Sequence, residues 1–427
     1  MDSKTEMADR DFSLDFVPLE QRRGFWSMFF VMMGFTFFSA SMWTGANLGS
    51  GLTLSGFAAA TLCGNLILGA YCGCLAFMAS KTGLSIHLLS RYTFGVKGSY
   101  IPSFVLGFTQ IGWFGVGIAM FAVPVQAYLE QLHIQCSIWG PVVIAGVLMT
   151  SSAYFGIRAL MIISVVAVPA VAVFGCISAS KVFLDNENAW NILKNFTPEN
   201  SLTLSTAVAL AIGSFISGGT CTPDFVRFAK NPKNAVFTTV LAFFIGNSLM
   251  FIFGAVGGMF FKTNDISNVL VAQGMLIPGI IVLGLNIWTT NDNALYTSGL
   301  GFANITGYPK KYLVLVNGLI GTVLSVWLYN NFCGYLNFLN TIIPPVGAVL
   351  MTDFFLFRKQ HYEDLKQVQL PAVQLSAVAA WVCGSAVAFI PWGLQAINGM
   401  ITAAVVLIVF KKIFPGKSGS GSSSESI

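Results

Sequence analysis

A dense run of polar side chains interrupts an apolar stretch of the sequence between positions 286 and 293. Four of its members fall on one face of a helix, at offsets of 0, 3, 4 and 7 residues: Asn286, Thr289, Thr290 and Asn293. Polar groups inside a bilayer are costly and usually face a partner or a transport pathway. Threonine hydroxyls beside carbonyls freed by a helix break suit a hard monovalent cation such as Na⁺. The run therefore predicts an ion or solute site, with hydrogen bonding between helices as the alternative.

A second group combines aromatic, amide and hydroxyl side chains. Gln110 and Trp113 are one helical turn apart, and Phe215 and Ser217 lie in a stretch rich in glycine and serine. Two rings can sandwich a flat solute while amides and hydroxyls read its hydrogen-bonding edge. The group predicts a site for a neutral heteroaromatic solute. For a single tryptophan, packing or an interfacial position remains the alternative.

The choice of coupling ion depends on the acidic residues. Asp292 is the only carboxylate deep inside a predicted span, whereas Asp224 and Asp353 fall near span ends. A proton mechanism requires a titratable group near the middle of the membrane, and the threonine pair supplies oxygens without charge. These residues favour Na⁺ over H⁺, and Asp292 keeps proton coupling open as the alternative.

The composition identifies an integral membrane protein. Of 427 residues, 55% are hydrophobic and only 9% are charged, whereas soluble domains carry about a quarter charged residues. The net charge of +5 comes from scattered positions and forms no basic stripe, which argues against nucleic-acid binding. No Ser-Lys, histidine or carboxylate cluster lies at a common depth, so an embedded enzyme is disfavoured. A channel remains a further alternative, because it would conduct without saturable exchange.

The apolar stretches predict an all-α polytopic protein with twelve transmembrane helices. With the N-terminus inside, 19 of the 22 Lys and Arg residues lie on the cytoplasmic side. Both termini are therefore expected in the cytoplasm. The predicted spans are 25–45, 56–78, 101–127, 138–156, 159–181, 202–220, 235–260, 276–301, 312–330, 335–354, 371–389 and 394–414.

Two spans echo each other. The first and sixth are rich in Gly, Ser and Thr, at 34–45 and 213–220, and each precedes a span with a Gly-Asn pair, ending at Asn65 and Asn247. The first starts inside and the sixth starts outside, so two five-helix units would be inverted. Interrupted helices in inverted repeats mark the central site of a secondary transporter. Close helix packing by small residues is the alternative.

Several longer motifs resemble the cytosine-carrying branch of the nucleobase–cation symporter-1 family. The most specific are LGLNIWTTNDNALY at 283–296 and TQIGWFGVG at 109–117; others lie at 36–45, 94–98, 213–217 and 299–307. The resemblance runs from about Arg22 to Leu356. It implies a leucine-transporter-type fold with a 5+5 inverted repeat plus two extra helices, and alternating access. The implied segments are a tail at 1–22, repeats at 23–181 and 202–356, two helices at 370–414 and a Gly/Ser-rich tail at 415–427.

The same resemblance implies cation-driven uptake of cytosine across the bacterial inner membrane, with lipid around the protein and no obligate protein partner. Trp113 and Phe215 would stack the base; phenylalanine at 215 fits the cytosine branch. The remaining substrate candidates are Phe38, Gln110, Ser217, Asn286 and Asn291. The implied Na⁺ ligands are the backbone of Gly34, Phe37 and Asn286 and the hydroxyls of Thr289 and Thr290. Proton coupling, or another nucleobase or a hydantoin as substrate, stays open.

Overall fold

The computed structural model describes residues 12–155, 157–264, 266–362 and 367–413, with only the backbone for 155 and 157–165. Within these ranges the regular secondary structure is helical. The first half contains α1 (Phe25–Thr36), α2 (Ser39–Gly51), α3 (Leu54–Thr82), α4 (Ile86–Phe94), α5 (Tyr100–Gln131), α6 (Trp139–Phe155), α7 (Ile157–Leu184) and α8 (Ala189–Lys194).

The second half begins with short helices and ends with long ones. It contains α9 (Leu204–Gly213), α10 (Ile216–Thr220), α11 (Thr222–Val226), α12 (Pro232–Ala242), a π-helical turn (Phe243–Asn247), α13 (Ser248–Phe261), α14 (Ile266–Ala272), α15 (Leu276–Thr306), α16 (Lys310–Asn330), α17 (Phe332–Ile342), α18 (Pro344–Thr352), a second π-helical turn (Asp353–Phe357), α19 (Leu375–Ala388) and α20 (Gln395–Ile413).

The helices have the length and composition of a multi-pass membrane protein. In the described ranges, seven helical segments are long and apolar enough to span a bilayer, two of which combine α12 with α13 and α17 with α18; α1 with α2, bent by 53°, makes an eighth. Three apolar helices are shorter, and α15 is 31 residues long but contains the polar run. Each predicted span coincides with helix, so the all-helical membrane architecture is confirmed, while the count of twelve crossings stays a prediction.

Both Gly/Ser/Thr-rich spans are broken in the structure. The first broken helix consists of α1 and α2, which separate at Phe37 and Phe38. The second consists of α9 and α10, which separate at Ser214 and Phe215. Small and polar residues permit such breaks because exposed backbone groups at membrane depth must find partners inside the protein. The breaks occur where the sequence pattern predicts them.

The two Gly-Asn pairs that echo each other meet in the folded chain. Asn247 donates from Nδ2 to Oδ1 of Asn65 over 2.7 Å, and both side chains are fully buried. Glycine also lets α2 and α13 approach closely, since a Cβ on Gly254 would lie 1.9 Å from the carbonyl oxygen of Met42. The echo therefore corresponds to a direct contact between the two halves of the chain.

One interruption was not predicted. The tenth predicted span, 335–354, is divided between α17 and α18 at Ile343. Pro344 and Pro345 follow immediately, and the two prolines remove two successive backbone donors that a continuous helix would use, while Ile343 itself keeps helical backbone angles. The helix restarts with these prolines in its first turn, where a missing N–H costs little.

Candidate functional site: a cavity between two broken helices

A cavity lies where the two broken helices face α5 and α15. The space between these elements that protein atoms do not fill is about 420 Å³, with open solvent at its mouth included. Its lining combines aromatic rings, amides and hydroxyls: Phe35, Phe38, Gln110, Trp113, Ser214, Phe215, Gly218, Thr290, Asn291, Asn293 and Ala294. Each of the four elements contributes, and residues at both helix breaks, Phe38 in the first and Ser214 and Phe215 in the second, are part of the lining.

Three aromatic side chains form one wall of this cavity. The ring centroids of Phe38 and Trp113 are 5.4 Å apart with planes at 71°. Those of Phe38 and Phe215 are 6.3 Å apart with planes at 88°. Phe38 thus meets both other rings nearly edge-on. All three are less than a tenth exposed, and the non-helical backbone at the two breaks turns Phe38 and Phe215 inward.

Gln110 is the amide nearest to these rings along α5. Its Nε2 donates to Oγ of Ser217 over 2.9 Å, and the hydroxyl of Thr109 lies 2.8 Å from the same oxygen. Gln110 lines the cavity, whereas Ser217 stands behind it and fixes its orientation. A glutamine amide has a second N–H and a carbonyl oxygen, which remain for a ligand.

Asn291 reaches the cavity from α15. Its Nδ2 donates to the carbonyl oxygen of Phe114 over 3.2 Å and lies 3.1 Å from Sδ of Met149. Gly117 leaves room for this side chain, because a Cβ there would lie 2.2 Å from Oδ1 of Asn291. The amide is therefore held in one orientation by α5 and α6.

Gly117→Ala is expected to lower solute affinity by about tenfold or more, because the added methyl must push the Asn291 amide away from its position. Equilibrium binding of radiolabelled solute to the purified protein measures this. Gly334→Ala is a matched control, since a Cβ there meets nothing within 4 Å. Equal affinity in Gly117→Ala and wild type would contradict the placement of Asn291 in the site.

Asn286 lies on the same helix but does not line the cavity. Its Oδ1 accepts from the backbone nitrogen of Ser39 at 2.8 Å and from the Ser39 hydroxyl at 2.6 Å. Its Nδ2 donates to the carbonyl oxygen of Phe37 at 2.5 Å. The fully buried amide thus holds both edges of the break between α1 and α2.

The predicted Na⁺ ligands lie on two elements that the Asn286 side chain joins, the end of the first half of the broken helix and α15. The amide of Phe38 donates to Thr36, over 3.0 Å, instead of to Gly34 one turn back, so the Gly34 carbonyl lacks its usual helical donor. The Thr289 and Thr290 hydroxyls lie 2.8 and 3.1 Å from the carbonyl oxygen of Asn286. Carbonyl and hydroxyl oxygens are ligands that a hard cation prefers, so the donor set fits Na⁺.

Asp292 faces away from the cavity, toward α6. Its Oδ1 accepts from the Ser152 hydroxyl at 2.7 Å, and Ser152 in turn accepts from Nε1 of Trp288 at 2.7 Å. Its Oδ2 is buried and has no hydrogen-bond partner among the described residues. A buried carboxylate without a cation is costly, which is why this residue bears on the choice of coupling ion.

Of the predicted substrate residues, the structure brings together Phe38, Gln110, Trp113, Phe215 and Asn291 around the cavity. Ser217 and Asn286 lie behind it and support these residues. Asn293, on the polar face predicted as an ion or solute site, also lines the cavity, whereas the sequence reasoning did not assign Phe35, Ser214, Gly218 or Ala294 to it. The available signal was position, since these residues adjoin the two breaks and the polar run.

Known proteins share the sequence and the fold of this chain. A family profile described as a permease for cytosine/purines, uracil, thiamine and allantoin matches residues 16–411. The chain is 49% identical to the cytosine permease of Escherichia coli (strain K12) over 96% of each protein.

Two solved structures have the same fold. Mhp1, a nucleobase-cation-symport-1 family transporter in a closed conformation with bromovinylhydantoin bound, superposes with a TM-score of 0.82 at 20% identity, covering 95% of this chain and 96% of that one. A Na⁺-coupled sialic acid symporter, in a substrate-bound outward-open state, superposes with a TM-score of 0.70 at 11% identity, covering 92% and 91%. This likeness confirms the predicted leucine-transporter-type fold.

Proposed function

The chain belongs to the family of permeases for cytosine/purines, uracil, thiamine and allantoin, and from this we propose that it imports cytosine by Na⁺ symport with alternating access. It is a transporter and not an enzyme. The 49% identity to a cytosine permease over nearly the whole chain supports the substrate. We place the protein in the bacterial inner membrane with both termini in the cytoplasm, on the distribution of its Lys and Arg residues.

The observation that carries the proposal is the cavity between the broken helices. Cytosine is flat, neutral and heteroaromatic, with a donor and acceptors on its edge. Trp113 and Phe215 supply ring faces for stacking, and Gln110 and Asn291 supply oriented amides for the edge. None of the described residues that line the cavity carries a full charge. Such a lining suits a neutral base better than an ionised solute.

Sodium coupling is supported by the ligand set beside the cavity. Gly34 and Phe37 contribute backbone oxygens at the first break, and the Thr289 and Thr290 hydroxyls lie opposite on α15. Thr290 also lines the cavity. A cation at this place would join the break to α15 next to the substrate, so its binding energy would favour the substrate-bound arrangement.

Alternating access requires a closed end on one side of the cavity. At the predicted cytoplasmic end, the buried guanidinium of Arg227 donates to the carbonyl oxygen of Phe12 at 2.8 Å and to the Tyr296 hydroxyl at 3.2 Å. Asp224 accepts from the backbone nitrogen of Ile86 at 3.0 Å. These bonds tie the N-terminal segment, α4, α11 and α15 together, and we assign them to a closed inner gate.

The test is uptake of radiolabelled cytosine into proteoliposomes at fixed pH, with and without an inward sodium gradient. Accumulation that requires the gradient, saturates and exchanges with internal cytosine is the expected result. Uptake without saturation or exchange would indicate a channel. Accumulation of a purine or a hydantoin in preference to cytosine would contradict the assignment of cytosine as substrate. Accumulation driven equally by a pH gradient alone would contradict the assignment of Na⁺ as coupling ion.

Proton coupling is the second candidate, and the unpartnered Oδ2 of Asp292 is the observation that favours it. Asp292→Asn is expected to leave sodium-driven uptake at half of the wild-type rate or more, because asparagine can still accept from Ser152 and need not carry charge. Uptake at several pH values under a constant sodium gradient measures this. Loss of gradient-driven uptake together with its pH dependence would assign the coupling to Asp292.

A further inference from the structure

The first π-helical turn lies directly against the break that carries the predicted cation ligands. The hydroxyl of Thr36, the last residue of α1, donates to the carbonyl oxygen of Ala242, the last residue of α12, over 3.0 Å. The carbonyl oxygens of Met32 and Met33 in its own helix lie 3.1 and 3.2 Å from the same Oγ1 and are alternative acceptors. A single π-helical turn interrupts the regular i→i+4 hydrogen-bond pattern of an α-helix and often lies at a functional site. The contact therefore joins two irregular stretches of backbone.

The fit between these two stretches is close. Gly246 lies within the π-turn, and a Cβ on it would be 2.2 Å from Oγ1 of Thr36 and 3.1 Å from the ring of Phe37. Thr36 is fully buried. No side chain larger than hydrogen fits at 246 unless the end of α1 shifts, so the Gly-Asn pair of the sequence echo has a specific use at this point.

The other half of the broken helix is held from the same turn. The Ser41 hydroxyl, in the first turn of α2, donates to Oδ1 of Asn247 over 2.7 Å. Asn247 donates in turn to Oδ1 of Asn65, and Asn65 donates to the Ser248 hydroxyl over 2.8 Å. Asn247 is thereby fixed on both sides. A satisfied buried network of this kind is rigid and fixes a unique arrangement.

Hydrogen bonds from two separate parts of the chain thus hold the break between α1 and α2. Asn286 on α15 donates to the carbonyl oxygen of Phe37 and accepts from the backbone nitrogen of Ser39. Thr36 and Ser41, which flank those residues, donate to Ala242, immediately before the π-turn, and to Asn247, its last residue. The carbonyl of Phe37 lies within the segment that these bonds hold, and that of Gly34 lies two residues before Thr36, so a movement of the α1 end changes the spacing of the two oxygens.

We propose that Thr36, Ser41 and Asn247 are positioning residues for cation binding, because they hold the α1–α2 break against the π-turn at 243–247 in the geometry that presents the Gly34 and Phe37 carbonyls. The inference rests on the sodium coupling proposed above. It predicts that loosening this contact weakens sodium binding more than it weakens the binding of cytosine at saturating sodium.

The experiment titrates sodium against equilibrium cytosine binding to the purified full chain, and measures the sodium-induced rise in unfolding temperature. Thr36→Val keeps the shape and removes the hydroxyl; it should raise the half-saturating sodium concentration about tenfold and reduce the sodium-induced stabilisation. Cytosine affinity at saturating sodium should change by less than about twofold. Thr36→Ser, which restores a hydroxyl, should return the sodium titration close to wild type.

Thr44→Val is the matched control, since the buried Thr44 hydroxyl on α2 donates to Ala40 of its own helix at 3.3 Å. It should titrate as wild type. An unshifted sodium titration for Thr36→Val, with or without a lower unfolding temperature, would overturn the inference while the coupling proposal stands. Wild-type binding that ignores sodium would overturn both. If Thr36→Val does not fold, Ser41→Ala takes its place in the test. It should raise the half-saturating sodium concentration about threefold, and an unchanged sodium titration would contradict the inference.

Discussion

Trp113→Ala is expected to reduce cytosine affinity by one to two orders of magnitude and to abolish measurable uptake at low cytosine concentration. A base stacked on an aromatic ring gains about 1–3 kcal/mol, and about 1.4 kcal/mol corresponds to a factor of ten in affinity. Trp113 is one of the rings that line the cavity in which we propose that the base binds. Binding of radiolabelled cytosine at saturating sodium isolates this effect from coupling.

The surroundings of Trp113 make the truncation hard to compensate. Its ring contacts Phe38 at 5.4 Å, Tyr335 at 5.5 Å and Phe332 at 6.2 Å between centroids. Alanine would leave a hole among these rings instead of a flat surface. Trp327→Ala is the control, since Trp327 lies on the outer face of α16 with 63% of its surface exposed. Wild-type affinity in Trp113→Ala would show that the base binds elsewhere.

The positions of the helix breaks were predictable because unusual composition produced them. Runs of Gly, Ser and Thr at 34–45 and 213–220 interrupt the apolar pattern at equivalent places, and the structure breaks the helix in both. The interruption at Ile343 had an equally direct signal in Pro344 and Pro345, but the apolar run around them indicated a continuous span. Hydropathy over a window does not register a local loss of backbone donors.

The sequence did not predict which polar residues line the cavity and which hold the helix break. Asn286 and Asn291 are the same residue type on the same helix, five positions apart. Only packing against the first broken helix and against α5 decides that Asn286 holds the break while Asn291 enters the cavity. Likewise, the sequence pairs Asn65 with Asn247 as an echo, but their hydrogen bond depends on how the two halves of the chain dock.

Asn286→Ala is expected to abolish sodium-stimulated uptake, with cytosine binding at any attainable sodium concentration at least about a hundredfold weaker. The substitution removes three hydrogen bonds at once, to the Ser39 nitrogen, the Ser39 hydroxyl and the Phe37 carbonyl. Leaving a buried donor or acceptor unpaired costs about 1–3 kcal/mol for each group. The break between α1 and α2 would then lose the contact that aligns it with α15.

The size of the loss in sodium-stimulated uptake distinguishes an amide that holds the helix break from an ordinary buried amide. Asn317→Ala is the matched control, because buried Asn317 on α16 donates to the Ser298 hydroxyl over 3.0 Å, away from either break. It should retain sodium-stimulated uptake even if its unfolding temperature falls. Comparable sodium dependence in Asn286→Ala and wild type would mean that the break keeps its geometry without the amide, and the cation ligands would then have to be sought outside the gap between the first broken helix and α15.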